Sequence, residues 1–270
     1  MTHAVLTALA LLALIAGPSA GAQEGSVAPA SAPGRVIVPF AVGERSVFDV
    51  KFGALKAGTG TMEVTGIENV RDREAWHTVF SVRGGLAFIK VNDRYESWID
   101  TRTFASLRHV QDIDEGSYEK ERRYEIFPER GVYTENNGEE KPTVKDPLDD
   151  GSFLYFARTL PLSVGQTYEF PRYFRLDRNP VTIRVLRNET IKVPAGTFKT
   201  VVIQPIIKSR GIFSENGHAE IWLTDDPRRI MVQMKVRTKF GTLSLYLRSF
   251  RPGAANDTSG QTPAGQGSRQ

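Results

Sequence analysis

The sequence predicts a mainly β protein, a strongly curved antiparallel sheet or open β-barrel with one short helix. Apolar and polar residues alternate through most of the chain, and a period of two is typical of strands with one buried face. Turn-forming residues separate the alternating runs, as in hairpins and meanders. An antiparallel sheet can leave one face in water, which fits this alternation.

The first segment has the composition of a secretory signal. An apolar run covers residues 4–16, Gly17-Pro18 ends it, and residues 20–22 supply a small-x-small cleavage pattern. We therefore expect residues 1–22 to be a signal peptide, cleaved after Ala22, and the protein to be periplasmic. The run has about 13 residues, fewer than the roughly 20 of a spanning helix, so the chain is not expected to be membrane-spanning.

Composition restricts the remaining chain. No Cys occurs among the 270 residues, so we expect neither disulfides nor a Cys-linked lipid anchor, and the fold must depend on its core. The net charge of +4 does not indicate a nucleic-acid partner. Segments 23–39 and 252–270 are poor in large apolar residues and are predicted to be a disordered linker and tail. Residues 40–251 remain as a single β-rich domain.

Seven alternating runs predict strands along this domain. They are Val47–Phe52, Thr61–Thr65, Trp76–Val82, Arg123–Phe127, Val181–Val185, Ile230–Val236 and Leu243–Leu247. Turn signals are expected at Gly84-Gly85, Asn136–Glu139, Pro194–Gly196, Asn216-Gly217 and Asp225–Pro227.

The helix is predicted near residues 149–160. Asp149 and Asp150 precede an apolar stretch as N-terminal caps, and Pro161 ends it. The helix joins two β halves of similar length, 40–145 and 162–251.

Five segments have an order and spacing that can be compared with known families: Ala57–Val64, Asn92–Asp100, Asp146–Arg158, Val193–Phe198 and Ile221–Asp226. Together they resemble the domain-of-unknown-function 3108 family of exported bacterial proteins. The resemblance covers about residues 40–250. It implies export to the periplasm and a β-rich fold, and it supplies no reaction and no catalytic residues.

The residues themselves offer no reactive constellation. The sequence has no Gly-x-Ser-x-Gly motif, and its four His residues lack metal-ligand spacing. His77 is expected to be solvated or singly hydrogen-bonded. The carboxylate clusters at 112–115, 146–150 and 225–226 each lie beside Gly or Pro, where Asp caps helices and closes turns. We therefore expect no catalytic residues, no metal and no cofactor, and the chain is more typical of a binding protein than of an enzyme.

Aromatic side chains crowd around the predicted helix, with Arg residues between them. Such a mixture suits a cleft for an acyl chain or a sugar ring. We expect the protein to be a periplasmic binding or cell-envelope accessory protein that holds an apolar or amphipathic ligand, a lipid or glycan, on a concave sheet face. The predicted lining residues are Phe153, Tyr155, Phe156, Tyr173 and Trp222.

Two alternatives stay open. A carboxylate-dependent envelope glycan hydrolase or lyase requires two carboxylates that face a common cleft, so the positions of Asp112, Asp149 and Asp225 test it. A structural protein-interaction module, with a cell-envelope protein as its partner, would present an exposed strand edge or a flat apolar patch.

Overall fold

A computed structural model describes residues 38–86, 89–208, 218–238 and 241–254. The predicted signal peptide, most of the predicted linker and tail, and the predicted turn at Asn216-Gly217 lie outside the described residues. The predictions for those segments stay predictions.

The described part of the chain contains fourteen strands. They are β1 (Arg45–Phe52), β2 (Leu55–Val70), β3 (Arg73–Leu86), β4 (Ile89–Asp100), β5 (Ser106–Glu115), β6 (Tyr118–Phe127), β7 (Val132–Glu135), β8 (Lys141–Pro142), β9 (Thr167–Phe170), β10 (Val181–Val193), β11 (Gly196–Ile206), β12 (His218–Thr224), β13 (Met231–Thr238) and β14 (Gly241–Arg251). Every predicted alternating run lies within or next to one of these strands.

All fourteen strands belong to one antiparallel sheet with the order β8-β7-β6-β5-β4-β3-β2-β1-β14-β13-β12-β11-β10-β9. Strands that follow one another in the chain are neighbours in the sheet, except β8 and β9. The pairing of β1 with β14 joins the two halves. The sheet is not closed into a barrel, because β8 and β9 are its two edges. The prediction of a mainly β, open antiparallel sheet is therefore confirmed.

The predicted helix is present as α1, Asp150–Ala157. The Asp149 carboxylate accepts hydrogen bonds from the backbone N–H groups of Gly151 and Ser152, and the Ser152 hydroxyl accepts one from the Asp149 N–H. This reciprocal arrangement satisfies N–H groups that have no partner inside the helix. A short 3₁₀ helix, Leu176–Arg178, is also present.

The two faces of the sheet have different roles. Direct pairing places Trp76, Ser97 and His109 on the face that carries α1. Phe40 links this face to the helix, since its ring lies 5.2 Å from Trp76 and 4.9 Å from Tyr155. The main apolar core therefore lies between α1 and the sheet. The opposite face carries charged side chains and a smaller apolar cluster.

The expectation of a turn at Gly84-Gly85 is wrong, because both residues lie inside β3. Gly84 pairs with Gly58 of β2, and the two backbones approach closely. A Cβ on Gly84 would lie 2.0 Å from the carbonyl oxygen of Ala57 and 2.5 Å from the Cα of Gly58. These glycines permit strand contact instead of reversing the chain.

Candidate functional site

Four of the five predicted lining residues cluster around α1. Phe153, Tyr155 and Tyr173 are buried, and Phe156 is half-buried. Trp222 lies elsewhere: its strand pairing with Gln233 places it on the sheet face opposite the helix. The structure therefore divides the predicted set between two faces. The binding role of these residues stays a prediction.

A buried polar network lies at the N-terminal end of α1. The Ser97 hydroxyl donates to Asp149 Oδ1 at 2.6 Å, and His109 Nδ1 lies 2.8 Å from the carbonyl oxygen of Glu96. Ser97 Oγ also lies 3.3 Å from His109 Nδ1. A carbonyl oxygen can only accept a hydrogen bond. His109 Nδ1 therefore carries a hydrogen atom and donates a hydrogen bond to the backbone carbonyl oxygen of Glu96. Ser97, His109 and Asp149 are each at most 1% exposed.

This network has the residue types of a hydrolytic triad without its geometry. A nucleophilic Ser needs a ring nitrogen that can accept its proton and a route to substrate. Here Ser97 donates to the carboxylate of Asp149 instead, and Asp149 caps the helix. The arrangement therefore positions α1 on β4 and β5.

The network continues from Asp150 through neighbouring side chains. Its carboxylate accepts hydrogen bonds from Tyr173 Oη at 2.9 Å and from Gln111 Nε2 at 3.2 Å. Arg178 donates to the same Tyr173 hydroxyl at 3.2 Å. Burial raises the pKa of Asp150, against the opposing positive charge of Arg178. These bonds anchor Tyr173, one of the predicted residues, as part of the scaffold.

Two further buried carboxyl groups share the helix-bearing face. Asp93 of β4 is 1% exposed and Glu115 of β5 is 8% exposed. Burial raises the pKa of Asp93 to about 6 and that of Glu115 to about 8, and the neighbouring charge of Asp93 adds to the second shift. The pair therefore holds a proton at neutral pH.

The remaining carboxylate clusters lie in a turn and on the outer face of the sheet. Asp112 lies opposite Arg94, on the face away from α1. Asp225 pairs with Arg229 in the β12–β13 turn, and Asp226 accepts a hydrogen bond from the Arg228 backbone N–H. Asp149 lies buried on the helix-bearing face, so the three carboxylates named by the hydrolase alternative occupy different parts of the fold.

His77 differs from the expectation of a solvated or singly bonded ring. Its Nδ1 lies 2.8 Å from Glu68, its Nε2 lies 2.7 Å from Glu96, and the ring stacks on Trp98 at 4.3 Å. Sequence periodicity placed His77 on a polar face, but it could not show that carboxylates of β2 and β4 flank it. His77 joins three strands on the outer face.

A cavity of about 810 Å³ opens beside the C-terminal end of α1. One wall is apolar and includes Val38, Phe40, Leu160 and Phe250. Phe40 rests on Tyr155 of the helix at a ring distance of 4.9 Å. Tyr155, one of the predicted lining residues, therefore packs against the wall residue Phe40 from the helix side.

Arg158 forms the base of this cavity. Its guanidinium binds the Glu44 carboxylate at 2.6 and 3.1 Å and donates to the carbonyl oxygens of Pro39 and Arg228. Arg158 and Glu44 are 4% and 7% exposed. Three separate segments of the chain are joined at this point.

The rim of the cavity is cationic. Arg228 and Arg229 lie on the β12–β13 turn and contribute to the lining. The Arg228 side chain is 60% exposed beside Asp226, and Arg229 pairs with Asp225. The Arg229 side chain is 19% exposed and is therefore half-buried. Exposed pairs such as Arg228–Asp226 contribute little net energy, so an incoming anion can compete for Arg228.

Sequence patterns predict little of this cavity. Phe40 and Glu44 are close to each other but far from Phe250 in sequence, and the β1–β14 pairing brings the two segments together. One signal for the cavity is present in the local sequence. Arg228 and Arg229 follow a predicted turn, and no acidic residue follows them directly.

Comparison with known proteins identifies the family. The family described as "Protein of unknown function (DUF3108)" matches residues 47–248. The chain belongs to the DUF3108 family. A search of curated proteins finds no match to this DUF3108 chain.

One solved structure supports the fold of this DUF3108 domain, and two others are similar at lower TM-scores. A β-barrel-like protein of the DUF1849 family from Brucella abortus is 15% identical, with a TM-score of 0.53, and the match covers 81% of this chain and 100% of that one. A protein from Parabacteroides distasonis proposed to be a lipoprotein is 12% identical, with a TM-score of 0.36 and coverage of 79% and 98%. A protein from Bacteroides fragilis proposed to be exported, with a YmcC-like fold, is 12% identical, with a TM-score of 0.30 and coverage of 80% and 99%.

The described DUF3108 residues contain neither a candidate membrane-spanning helix nor a candidate metal site. Within ranges 38–86, 89–208, 218–238 and 241–254, no helix is long and apolar enough to cross a membrane. In the same ranges, no group of three or more His, Asp or Glu side chains has a metal-binding arrangement.

Proposed function

We propose that this DUF3108 protein is an exported binding protein of the cell envelope that holds an anionic amphipathic ligand beside the C-terminal end of α1. The observation that carries the proposal is the combination of an apolar wall and a cationic rim in one cavity of about 810 Å³. Cavities of about 300–1,000 Å³ are typical of small-molecule sites.

The apolar wall supports a hydrocarbon portion in the ligand. Phe40, Leu160 and Phe250 contribute to this wall. Burial of hydrocarbon against such side chains contributes about 25 cal/mol per Å² of apolar surface. The Tyr155 ring supports Phe40 from behind, which keeps the wall in place without a ligand.

The rim supports an anionic group at the other end of the ligand. The lining contains Arg158, Arg228 and Arg229 and one carboxylate, that of Glu44. Glu44 pairs with Arg158, whereas Arg228 and Arg229 pair with the more exposed Asp226 and Asp225. A bound carboxylate or phosphate would replace these two aspartates as the partner of the rim arginines. Arginine suits this role because its planar group can form two parallel hydrogen bonds with either anion.

The predicted aromatic residues take supporting roles in this proposal. Tyr155 supports the wall, and Phe156 packs against Phe170 at 5.0 Å below the same helix. Phe153 and Tyr173 hold the helix in the core. Trp222 belongs to a separate groove.

Export is part of the proposal and has its own test. The first 22 residues direct the chain to the periplasm and are removed after Ala22. Expression of the full chain in a Gram-negative host, followed by fractionation and intact-mass measurement, should find a periplasmic product that begins at Gln23. A product that stays cytoplasmic with its first 22 residues attached would contradict this part.

Ligand binding is tested by titration with a fluorescent long-chain fatty acid. We expect Phe250→Asp to weaken binding at least tenfold, because a carboxylate would face the hydrocarbon. Leu176→Asp is the matched control, because Leu176 is 50% exposed and does not line the cavity. The unfolding midpoint of each variant separates lost binding from lost folding.

The cationic rim is tested by the double variant Arg228→Ser and Arg229→Ser. This variant should weaken binding of the fatty acid more than binding of the corresponding uncharged fatty alcohol. Equal weakening of both would contradict an anion site at the rim. No binding of either probe to the folded wild-type protein would contradict the cavity as an amphiphile site.

A further inference from the structure

A second concave site lies on the sheet face opposite α1. It is a groove of about 430 Å³ between β10 and β14, with Trp222 and Tyr246 among its lining residues. Direct strand pairs connect Trp222 to Gln233 and Gln233 to Tyr246. The groove shares no lining residue with the cavity at the end of α1.

The groove carries a net positive charge. Its cations are Arg187, Lys192, Lys235 and Arg237, and its carboxylates are Glu189 and Glu220. Both carboxylates bind Arg187, at 2.9 and 2.8 Å. No carboxylate in the described part of the chain forms an ion pair with any of the other three cations. The groove therefore retains positive charge for a ligand.

The two rings of this groove contact neighbouring charged side chains. The Trp222 indole N–H donates to Glu189 at 2.6 Å, and Glu189 also binds Arg187. Lys235 lies 5.3 Å from the Trp222 ring and 6.0 Å from the Tyr246 ring. A ligand would meet a prearranged site, which reduces the entropy lost on binding.

The lining chemistry selects among ligand classes. A hydrocarbon chain has little to contact, because Ile191 is the one aliphatic side chain among the described lining residues. A small inorganic anion would use the cations but not the rings. A sugar ring has an apolar face that can lie on an aromatic ring and hydroxyls that can bond to Gln233 and Glu220, while an acidic substituent would bind the free cations.

We infer that this groove binds an acidic saccharide, such as a chain of uronic acid or sulfated sugar units. The half-buried Tyr246 ring supports the apolar face of the sugar. Lys235, Lys192 and Arg237 bind its acidic groups. This site is independent of the amphiphile cavity and can be tested even if that cavity binds nothing.

The test is isothermal titration calorimetry of the full chain with trigalacturonate and with a sulfated heparin disaccharide, in 50 mM and 300 mM salt. We expect at least one acidic saccharide to bind, with affinity that falls as salt rises, and the neutral sugar maltotriose to bind at least tenfold more weakly. If neither acidic saccharide binds to the folded protein, the proposal is wrong.

Variants distinguish this groove from general attraction to a basic protein. Lys235→Ala and Arg237→Ala should each weaken binding at least fivefold, and Tyr246→Leu should weaken it while leaving the salt dependence unchanged. Lys120→Ala is the matched control, because Lys120 is an exposed lysine on β6. Equal affinities for Lys235→Ala and Lys120→Ala would overturn the assignment to the groove. Thermal unfolding of Arg237→Ala, whose side chain is exposed, confirms that a loss of binding is not a loss of fold.

Discussion

The guanidinium of Arg158 and the carboxylate of Glu44 form a buried two-point ion pair, with contacts of 2.6 and 3.1 Å. Arg158 follows the last residue of α1, and Glu44 precedes β1. The pair joins residues that are 114 positions apart in the chain. It holds the helix end against the start of the sheet and forms the base of the proposed amphiphile cavity.

Loss of one member of this pair should be costly. Glu44→Gln leaves the buried Arg158 charge without its counter-ion, so we expect the free energy of unfolding to fall by about 3 kcal/mol. The control is Glu63→Gln, because the Arg45–Glu63 pair is 41% and 30% exposed and should contribute less than about 1 kcal/mol. Urea unfolding of both variants measures the difference, and equal losses would contradict a special role for the buried pair.

The N-terminal cap of α1 should also be sensitive to mutation. Asp149→Ala removes the acceptor of two helix N–H groups and of the Ser97 hydroxyl. Loss of a cap and of a buried acceptor together should lower the free energy of unfolding by at least about 2 kcal/mol. Asp177→Ala, at an exposed position of the 3₁₀ helix, should have an effect below about 0.5 kcal/mol. Thermal unfolding followed by circular dichroism compares the two variants. A loss of stability in Asp149→Ala no larger than that in Asp177→Ala would contradict the capping role of Asp149.

The carboxyl pair Asp93–Glu115 should make stability depend on pH. Both pKa values are higher in the folded state than in the unfolded chain, so the folded state binds more protons between about pH 4 and pH 8. The contribution of the pair is therefore fully present below the unfolded pKa values, and it is lost as pH rises through about 6 and about 8.

Glu115→Gln tests this dependence, because glutamine keeps the shape of a neutral carboxyl group. Relative to wild type, the variant should become more stable as pH rises from 5 to 9, measured by urea midpoints. Glu119→Gln, on the exposed strand end nearby, should follow the wild-type curve. A wild-type profile parallel to that of Glu115→Gln would show that the pair does not hold a proton.

The glycine contact between β2 and β3 gives a steric prediction. Gly84→Ala places a methyl group against backbone atoms at 2.0 to 2.9 Å, so we expect a loss of more than about 2 kcal/mol. At Gly66 of β2, no atom lies within 4 Å of the added methyl. Gly66→Ala should therefore change stability by less than about 1 kcal/mol. Chemical unfolding of both variants is the measurement, and a mild Gly84→Ala phenotype would argue against the close approach.

Much of the architecture could be predicted because strands and helix caps leave local signals. Alternation identified strands such as Val47–Phe52, and Asp149 identified the start of α1. The turn predicted at Gly84 is wrong because glycine occurs both in turns and at close contacts between strands, and only the partner strand distinguishes the two. Local sequence alone could not supply that partner.

The candidate site was less predictable because it depends on long-range contacts. Aromatic residues do cluster around α1 in the fold, but periodicity cannot show that Tyr155 lies in the core behind Phe40. Trp222 was grouped with these residues by type, whereas strand pairing places it on the other face. Alternation could have found the groove, since Trp222, Lys235 and Tyr246 all occupy the polar side of their strands.

The central claim is that the cavity beside α1 holds an anionic amphiphile. Native mass spectrometry of the protein, purified from the cell envelope fraction without detergent, tests it most directly. We predict a complex with one anionic amphiphile on the wild-type protein and on Leu176→Asp, and a ligand-free Phe250→Asp. A ligand-free wild-type protein that also fails to bind the fatty acid probe, or an amphiphile that stays bound to folded Phe250→Asp, would contradict the claim.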